Sequence, residues 1–114
     1  MAFSVIELKR IRKVVGGICQ RRSPPQLRDT LRVTYEINGH EVEIFESRPR
    51  FNKPSEWSKT PCAKLKYSRS SRKWKLYGLR QDQTWYPYET GTASSELEAL
   101  AAEVDQDRDG VFFG

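Results

Sequence analysis

Near the N-terminus the apolar residues recur at three- and four-residue steps. Leu8, Ile11, Val15 and Ile18 fall on one stripe, the spacing of a helix with a single buried face. Ser4 and Glu7 precede the stripe at the distance of a capping box, in which each side chain accepts a hydrogen bond from the other residue's backbone N–H. Phe3 and Leu8 occupy the flanking positions of a hydrophobic staple. Lys9, Arg10 and Lys13 fall largely away from the stripe. Gly16-Gly17 weakens the final turn, and Pro24-Pro25 cannot continue a helix.

From residue 31 the period changes to two. Leu31, Val33, Tyr35 and Ile37 alternate with polar residues, and Val42 and Ile44 resume the alternation after Asn38-Gly39. That pair suits the positive φ angles of a type I′ turn, so residues 31–48 are predicted to form a hairpin. Phe45 has the opposite parity and implies an exposed aromatic or a β-bulge. Pro49, Pro54 and Pro61 mark residues 49–61 as a loop, with Trp57 expected to pin it to the core. A second hairpin places Ala63, Leu65 and Tyr67 opposite Trp74, Leu76 and Gly78 across a Ser-rich turn. A short fifth strand is expected at Trp85 and Tyr86. Ser95 and Glu98 suggest a second capping box, ahead of an apolar stripe of Leu97, Leu100, Ala101 and Val104.

These elements compose one α+β domain over residues 1–114: an N-terminal helix, an antiparallel four- to five-stranded meander, and a C-terminal helix packed on the sheet. Both helices are expected on one sheet face. Thirteen Trp, Tyr and Phe residues in 114 supply the core such a domain needs and argue against disorder. Cys19 and Cys62 lie far apart without a C-x-x-C pattern, which points to two free thiols in a reducing compartment. No apolar run approaches the roughly 20 residues of a spanning helix, and the basic N-terminal region is unlike a secretory signal. The expectation is a cytoplasmic protein that does not engage membranes.

Charge changes the picture. Nineteen of the twenty Lys and Arg residues precede residue 81, against seven acids; the last thirty-four residues carry one Arg and eight acids. A basic body attracts polyanions, unless the acidic segment neutralises it.

Trp74-Lys75-Leu76-Tyr77, Arg80, Asp82, Trp85, Tyr88, Asp105-Gln106-Asp107 and Phe112-Phe113-Gly114, with Arg48-Pro49 and Ala63-Lys64-Leu65-Lys66-Tyr67 before them, form a pattern of spaced aromatics. It resembles a bacterial domain-of-unknown-function family of small stand-alone proteins, over most of residues 30–114. The chain departs from that pattern at Gly78, Tyr86-Pro87, Arg108 and Phe113. The resemblance implies a shared fold and no catalytic residues, since the family has no established activity.

Several constellations bear on chemistry. Asp105-Gln106-Asp107-Arg108-Asp109-Gly110 matches the first six positions of a calcium loop, but the acidic residue of position twelve is missing and Arg108 adds a positive charge among the ligands. The favoured reading has these acids ending the helix and Gly110 turning Phe112 and Phe113 back to the core. His40, the only histidine, follows a turn where exposure is expected, so no zinc triad or Ser-His-Asp relay can be assembled. The aromatic cluster of Trp74, Trp85, Tyr86, Tyr88, Phe112 and Phe113 reads as core rather than pocket.

Strand parity puts Lys64, Lys66, Lys73, Lys75 and Tyr77 on the solvent face of the second hairpin, with Arg32 on the matching face of the first. Cations around an aromatic on a sheet suit a nucleic-acid strand. Glu36, Glu41 and Glu43 share that face and could instead pair with the lysines across strands. The sequence therefore favours a cofactor-free binding module over an enzyme. Its candidate anion site is Arg32, Lys64, Lys66, Lys73, Lys75 and Tyr77, and its expected partner a nucleic acid or an acidic protein. Two rivals stay open: a protein-interaction or self-association module, including a homo-oligomer, using Phe45 or a free sheet edge, and a metal-independent ribonuclease using Arg80 or Tyr77.

Overall fold

The computed structural model describes residues 3–88 and 95–114. Helix α1 (Val5–Arg22) leads through a single 3-10 turn (Pro25–Leu27) into strands β1 (Arg32–Asn38), β2 (Glu41–Pro49), β3 (Trp57–Ser68), β4 (Lys73–Leu79) and β5 (Trp85–Pro87), followed by helix α2 (Leu97–Gln106). The strands form one antiparallel sheet in the order β1-β2-β3-β4-β5. The fold is α+β, and α1 and α2 pack against each other, α1 on β1 and α2 on β4.

The α1 stripe is buried as expected: Ile11, Val15 and Ile18 have no exposed surface. Ser4 and Glu7 form the capping box. Phe3 is also buried, its ring stacked 5.5 Å from Trp74. Across the sheet, Val42, Ile44, Ala63, Leu65 and Leu76 present one fully buried face to the helices. The helix ends at Ser23, whose N–H and Oγ both donate to the Cys19 carbonyl at 3.0 and 2.7 Å. Ser23 Oγ also accepts from Val33 N–H at 3.1 Å, so one buried hydroxyl ties the helix end to the first strand.

The first hairpin turns one residue later than the Asn38-Gly39 pattern suggests. Asn38 pairs with Glu41, leaving Gly39 and His40 as the loop, and only Gly39 has a positive φ, +61°. Glycine at the first loop position is the requirement of a type II′ turn; the inward pair Ile37–Val42 sets this register. His40 is half-buried rather than exposed, with its ring 5.4 Å from Phe3. The bulge signalled by Phe45 is real. Ile44 pairs with Ala63 but Phe45 with Pro61, so Cys62 is the extra residue, and Phe45 lands half-buried on the side of the sheet away from the helices. The loop expected over 49–61 is shorter, because β3 begins at Trp57. Trp57 pairs with Pro49 on that same outer side, so it does not pin a loop to the core.

The capping box expected from Ser95 and Glu98 does not form. The α2 N-cap is Glu96, without a side-chain cap bond. Glu98 is engaged elsewhere: Arg10 of α1 donates to both its oxygens, at 2.8 and 3.1 Å. Asp105 at the other end of α2 pairs with Arg21 at 2.9 Å and Arg22 at 3.5 Å. The acidic helix thus neutralises the basic helix beside it.

The C-terminal turn follows the helix-ending reading. Asp107 caps α2 in the left-handed region (φ 47°), and its carboxylate accepts from the backbone N–H of Phe112 and Phe113, each at 2.9 Å. That brings Phe112 into the core, 5.0 Å from the ring of Tyr88. Phe113 packs beneath the Arg22 guanidinium at 3.9 Å, and Asp109 accepts from Tyr88 OH at 2.9 Å. Among the described residues no group of acids, His and Cys is arranged to hold a metal ion.

This packing makes stability sensitive at one glycine and at two carboxylates. A Cβ on Gly78 would lie 2.8 Å from Val111 Cγ1 and 3.0 Å from the Tyr86 ring. Gly78→Ala should therefore lower unfolding free energy by about 1–3 kcal/mol, read as a shifted urea midpoint at unchanged slope; an unshifted midpoint would refute the close fit. Hydrogen bonds from Arg69 to Glu7 and from Arg10 to Glu98 hold both carboxyls below their usual range. Their contribution is complete above the unfolded glutamate pKa of about 4.3 and is lost as pH falls through the lower folded values. Stability should decline below about pH 4.3, and less steeply in Arg10→Ala or Arg69→Ala.

Candidate nucleic-acid interface

With both helices on one side, no described element covers the opposite face of the sheet. Outward positions on β1 and β2 are Arg32, Glu36, Glu41, Glu43 and Phe45; on β3 to β5 they are Trp57, Lys59, Lys64, Lys66, Lys73, Lys75, Tyr77 and Trp85. Carboxylates therefore cluster on β2 and its β1 neighbour, and amines on β3 and β4.

At the seam the charges compensate one another. Lys64 Nζ lies 3.2 Å from Glu41 and 3.4 Å from Glu43, and only 13% of its side chain is exposed. The Trp85 ring covers it at 4.7 Å. Lys59 pairs with Glu36 and lies over the Phe45 ring at 4.3 Å. Lys66 shares Glu41 at 3.6 Å, but its side chain is about half exposed. Arg32 stacks over Trp57 at 4.0 Å. Each pairing lets an aromatic ring remain at a wet surface beneath a hydrated cation.

Beyond the seam, compensation stops. Lys66 and Lys75 face each other across β3 and β4, an arrangement that raises local positive potential. Their Nζ atoms lie 5.4 and 5.8 Å from the ring of Tyr77. Among the described residues Lys73 and Lys75 have no carboxylate within ion-pair distance. Arg72 adds a further exposed cation in the β3–β4 turn, where it adopts φ 54°.

The six residues expected from parity therefore divide into three groups. Lys66, Lys73, Lys75 and Tyr77 gather at one end of β3 and β4. Arg32 lies apart at the far edge with Trp57. Lys64 is enclosed, so its charge is already balanced inside the sheet. The outward aromatics Trp57 and Trp85 join this face without being predicted there by the sequence pattern. Strand parity would disclose Trp57 if the prolines around it did not read as a loop.

Other candidate chemistry is dispersed. The Arg80 guanidinium lies beyond the end of β4, 5.0 Å from the Tyr86 ring, on the parity opposite Tyr77. Cys19 and Cys62 are free and buried. Burial pushes both thiols up to about 11, with the Glu46 carboxylate adding to the effect at Cys62; such thiols are poor nucleophiles near neutrality. No helix among the described residues is long and apolar enough to cross a membrane.

Residues 3–114 match the model of the family described as Domain of unknown function (DUF3024), and the chain belongs to that family. No curated protein and no solved structure matches it.

The two kinds of lysine separate experimentally. Lys64→Gln leaves Glu43 without its cation and Glu41 with Lys66 alone, and should cost about 1–2 kcal/mol, between exposed and buried pairs. Lys75→Gln should change stability by less than about 0.5 kcal/mol. Equal midpoints for the two variants in urea would contradict the distinction.

Proposed function

We propose that the open sheet face binds single-stranded nucleic acid weakly, at the β3–β4 end. Lys66, Lys73 and Lys75 take the phosphates, and Tyr77 offers a ring for one base. The observation that carries this reading is the facing pair Lys66 and Lys75 astride Tyr77. Lys66 shares Glu41 with Lys64 but stays half exposed, and Lys75 and its neighbour Lys73 have no ion pair with a described carboxylate. Cations flanking an aromatic on an exposed sheet fit a strand whose phosphates and bases alternate along its length. Pairing of α2 with α1 supports the same reading, because Glu98 and Asp105 of the acidic helix are engaged on the other side of the sheet. Lys64 serves the sheet rather than the ligand, and Arg32 lies at the margin of the surface. Duplex nucleic acid fits less well, since its bases are stacked away from a ring that could receive them.

Anisotropy with a labelled single-stranded RNA, titrated at low and physiological salt, tests the assignment. Replacing both Lys73 and Lys75 with Gln should weaken binding. It should also flatten the log–log salt dependence, by about 0.7 in slope for each phosphate no longer neutralised. Tyr77→Ala should cost about 1–3 kcal/mol with little change of slope. Identical titrations for wild type and both variants would remove this face from the function.

A further inference from the structure

The outer edge of β1 and the adjoining flank of α1 form a second feature, separate from the open face. β1 has a neighbour on one side only. In an antiparallel ladder alternate residues turn their backbone groups toward and away from the partner. Because Asn38 and Glu41 close the two-residue loop, Val33, Tyr35 and Ile37 turn theirs to the free edge. The Val33 N–H donates to Ser23 Oγ at 3.1 Å, and its carbonyl lies 3.4 Å from the same hydroxyl, whose proton goes to the nearer Cys19 carbonyl. No described group meets the backbone groups of Tyr35 and Ile37. Ile37 also keeps 39% of its surface exposed.

Beside this edge runs a groove between α1 and β1. One stretch, about 390 Å³, is bordered by Arg12, Gly16 and Gln20 from the helix and by Thr34 and Tyr35 from the strand. It adjoins a second stretch of about 250 Å³ that reaches Ser23, Arg28 and Arg32. Gly16 gives the groove its width: a Cβ there would meet only the Tyr35 ring, at 3.7 Å. Arg12, Arg28 and Arg32 have no ion pair with a described carboxylate. The Nε atoms of Arg28 and Arg32 donate to the backbone carbonyls of Ser23 and Arg28, at 3.2 and 3.0 Å, which holds Arg28 at the end of the groove, with Arg32 at its margin over Trp57.

We infer that this groove receives an extended acidic segment of a partner protein, added as a short strand beside β1. Unsatisfied N–H and C=O groups on one edge require an occupant with both acceptors and donors at strand spacing, which a peptide backbone has. A phosphate chain offers acceptors only. The arginines select carboxylates on the alternate side chains. A second copy of this chain is disfavoured, because edge-to-edge pairing would bring two sets of these arginines together. Ser23 limits the added strand to the length of Tyr35 and Ile37.

The test uses the full chain and a blocked, fluorescein-labelled octapeptide of alternating valine and glutamate, against the same peptide with lysine in place of glutamate. The glutamate peptide should bind at least tenfold tighter at low salt and slow hydrogen exchange at the Tyr35 and Ile37 amides. Gly16→Leu, which improves helix propensity while filling the groove, should weaken binding at least fivefold. Arg12→Glu, on an exposed position, should do the same. Equal binding of the two peptides overturns the inference, as does full binding by both variants or protection confined to other amides. Two further outcomes also overturn it: protection of Tyr35 and Ile37 by an oligonucleotide instead, or by self-association detected as doubled mass.

Discussion

A five-stranded sheet covered by helices on one face has to keep its other face in water, and most of the structure follows from how it does so. The covered face is simple: Val42, Ile44, Leu65 and Leu76 are fully buried beneath α1 and α2. The open face cannot repeat that solution without exposing a hydrophobic surface that would aggregate. It places glutamates on β2 against lysines on β3, and sets cations over the rings of Phe45, Trp57 and Trp85. Lys64 holds the centre of this arrangement, touching two carboxylates and one ring.

Balance at the seam also defines where balance fails. β4 has no acidic strand beside it, so among the described residues Lys73 and Lys75 have no carboxylate partner and Lys66 is only half compensated. The strong asymmetry of charge along the chain resolves in the same terms. The acidic helix α2 turns Glu98 and Asp105 to the basic helix rather than to the sheet, and pairs with α1 through them. The acids of α2 that engage Arg10, Arg21 and Arg22 lie on the helix side of the sheet, away from Lys73 and Lys75.

Much of the architecture is legible in the chain because local and global signals agree. The α1 stripe, both hairpins, the brief fifth strand and the apolar face of α2 all have the periodicity of their final setting. The chain misleads where a tertiary contact overrules a local motif. Glu98 suits a capping box, yet a bidentate arginine on α1 holds it. Asn38-Gly39 suits a type I′ turn, yet inward pairing of Ile37 with Val42 moves the turn along by one. Trp57 stands among prolines and looks like loop, but β2 is long enough to pair with it. On the candidate site, parity identifies the right face and cannot rank its lysines. Whether a lysine is balanced depends on which strand lies alongside, and that is a property of register.

The most direct test of the sheet-face site is an amide chemical-shift map of the ¹⁵N-labelled protein titrated with a short single-stranded oligonucleotide. Shifts are expected to concentrate at Lys66, Lys73, Lys75 and Tyr77 and to fade toward the Glu41 and Glu43 seam. Shifts centred instead on the unpaired cations of α1, Lys9, Arg12 and Lys13, or an unperturbed spectrum at saturating oligonucleotide, would contradict it.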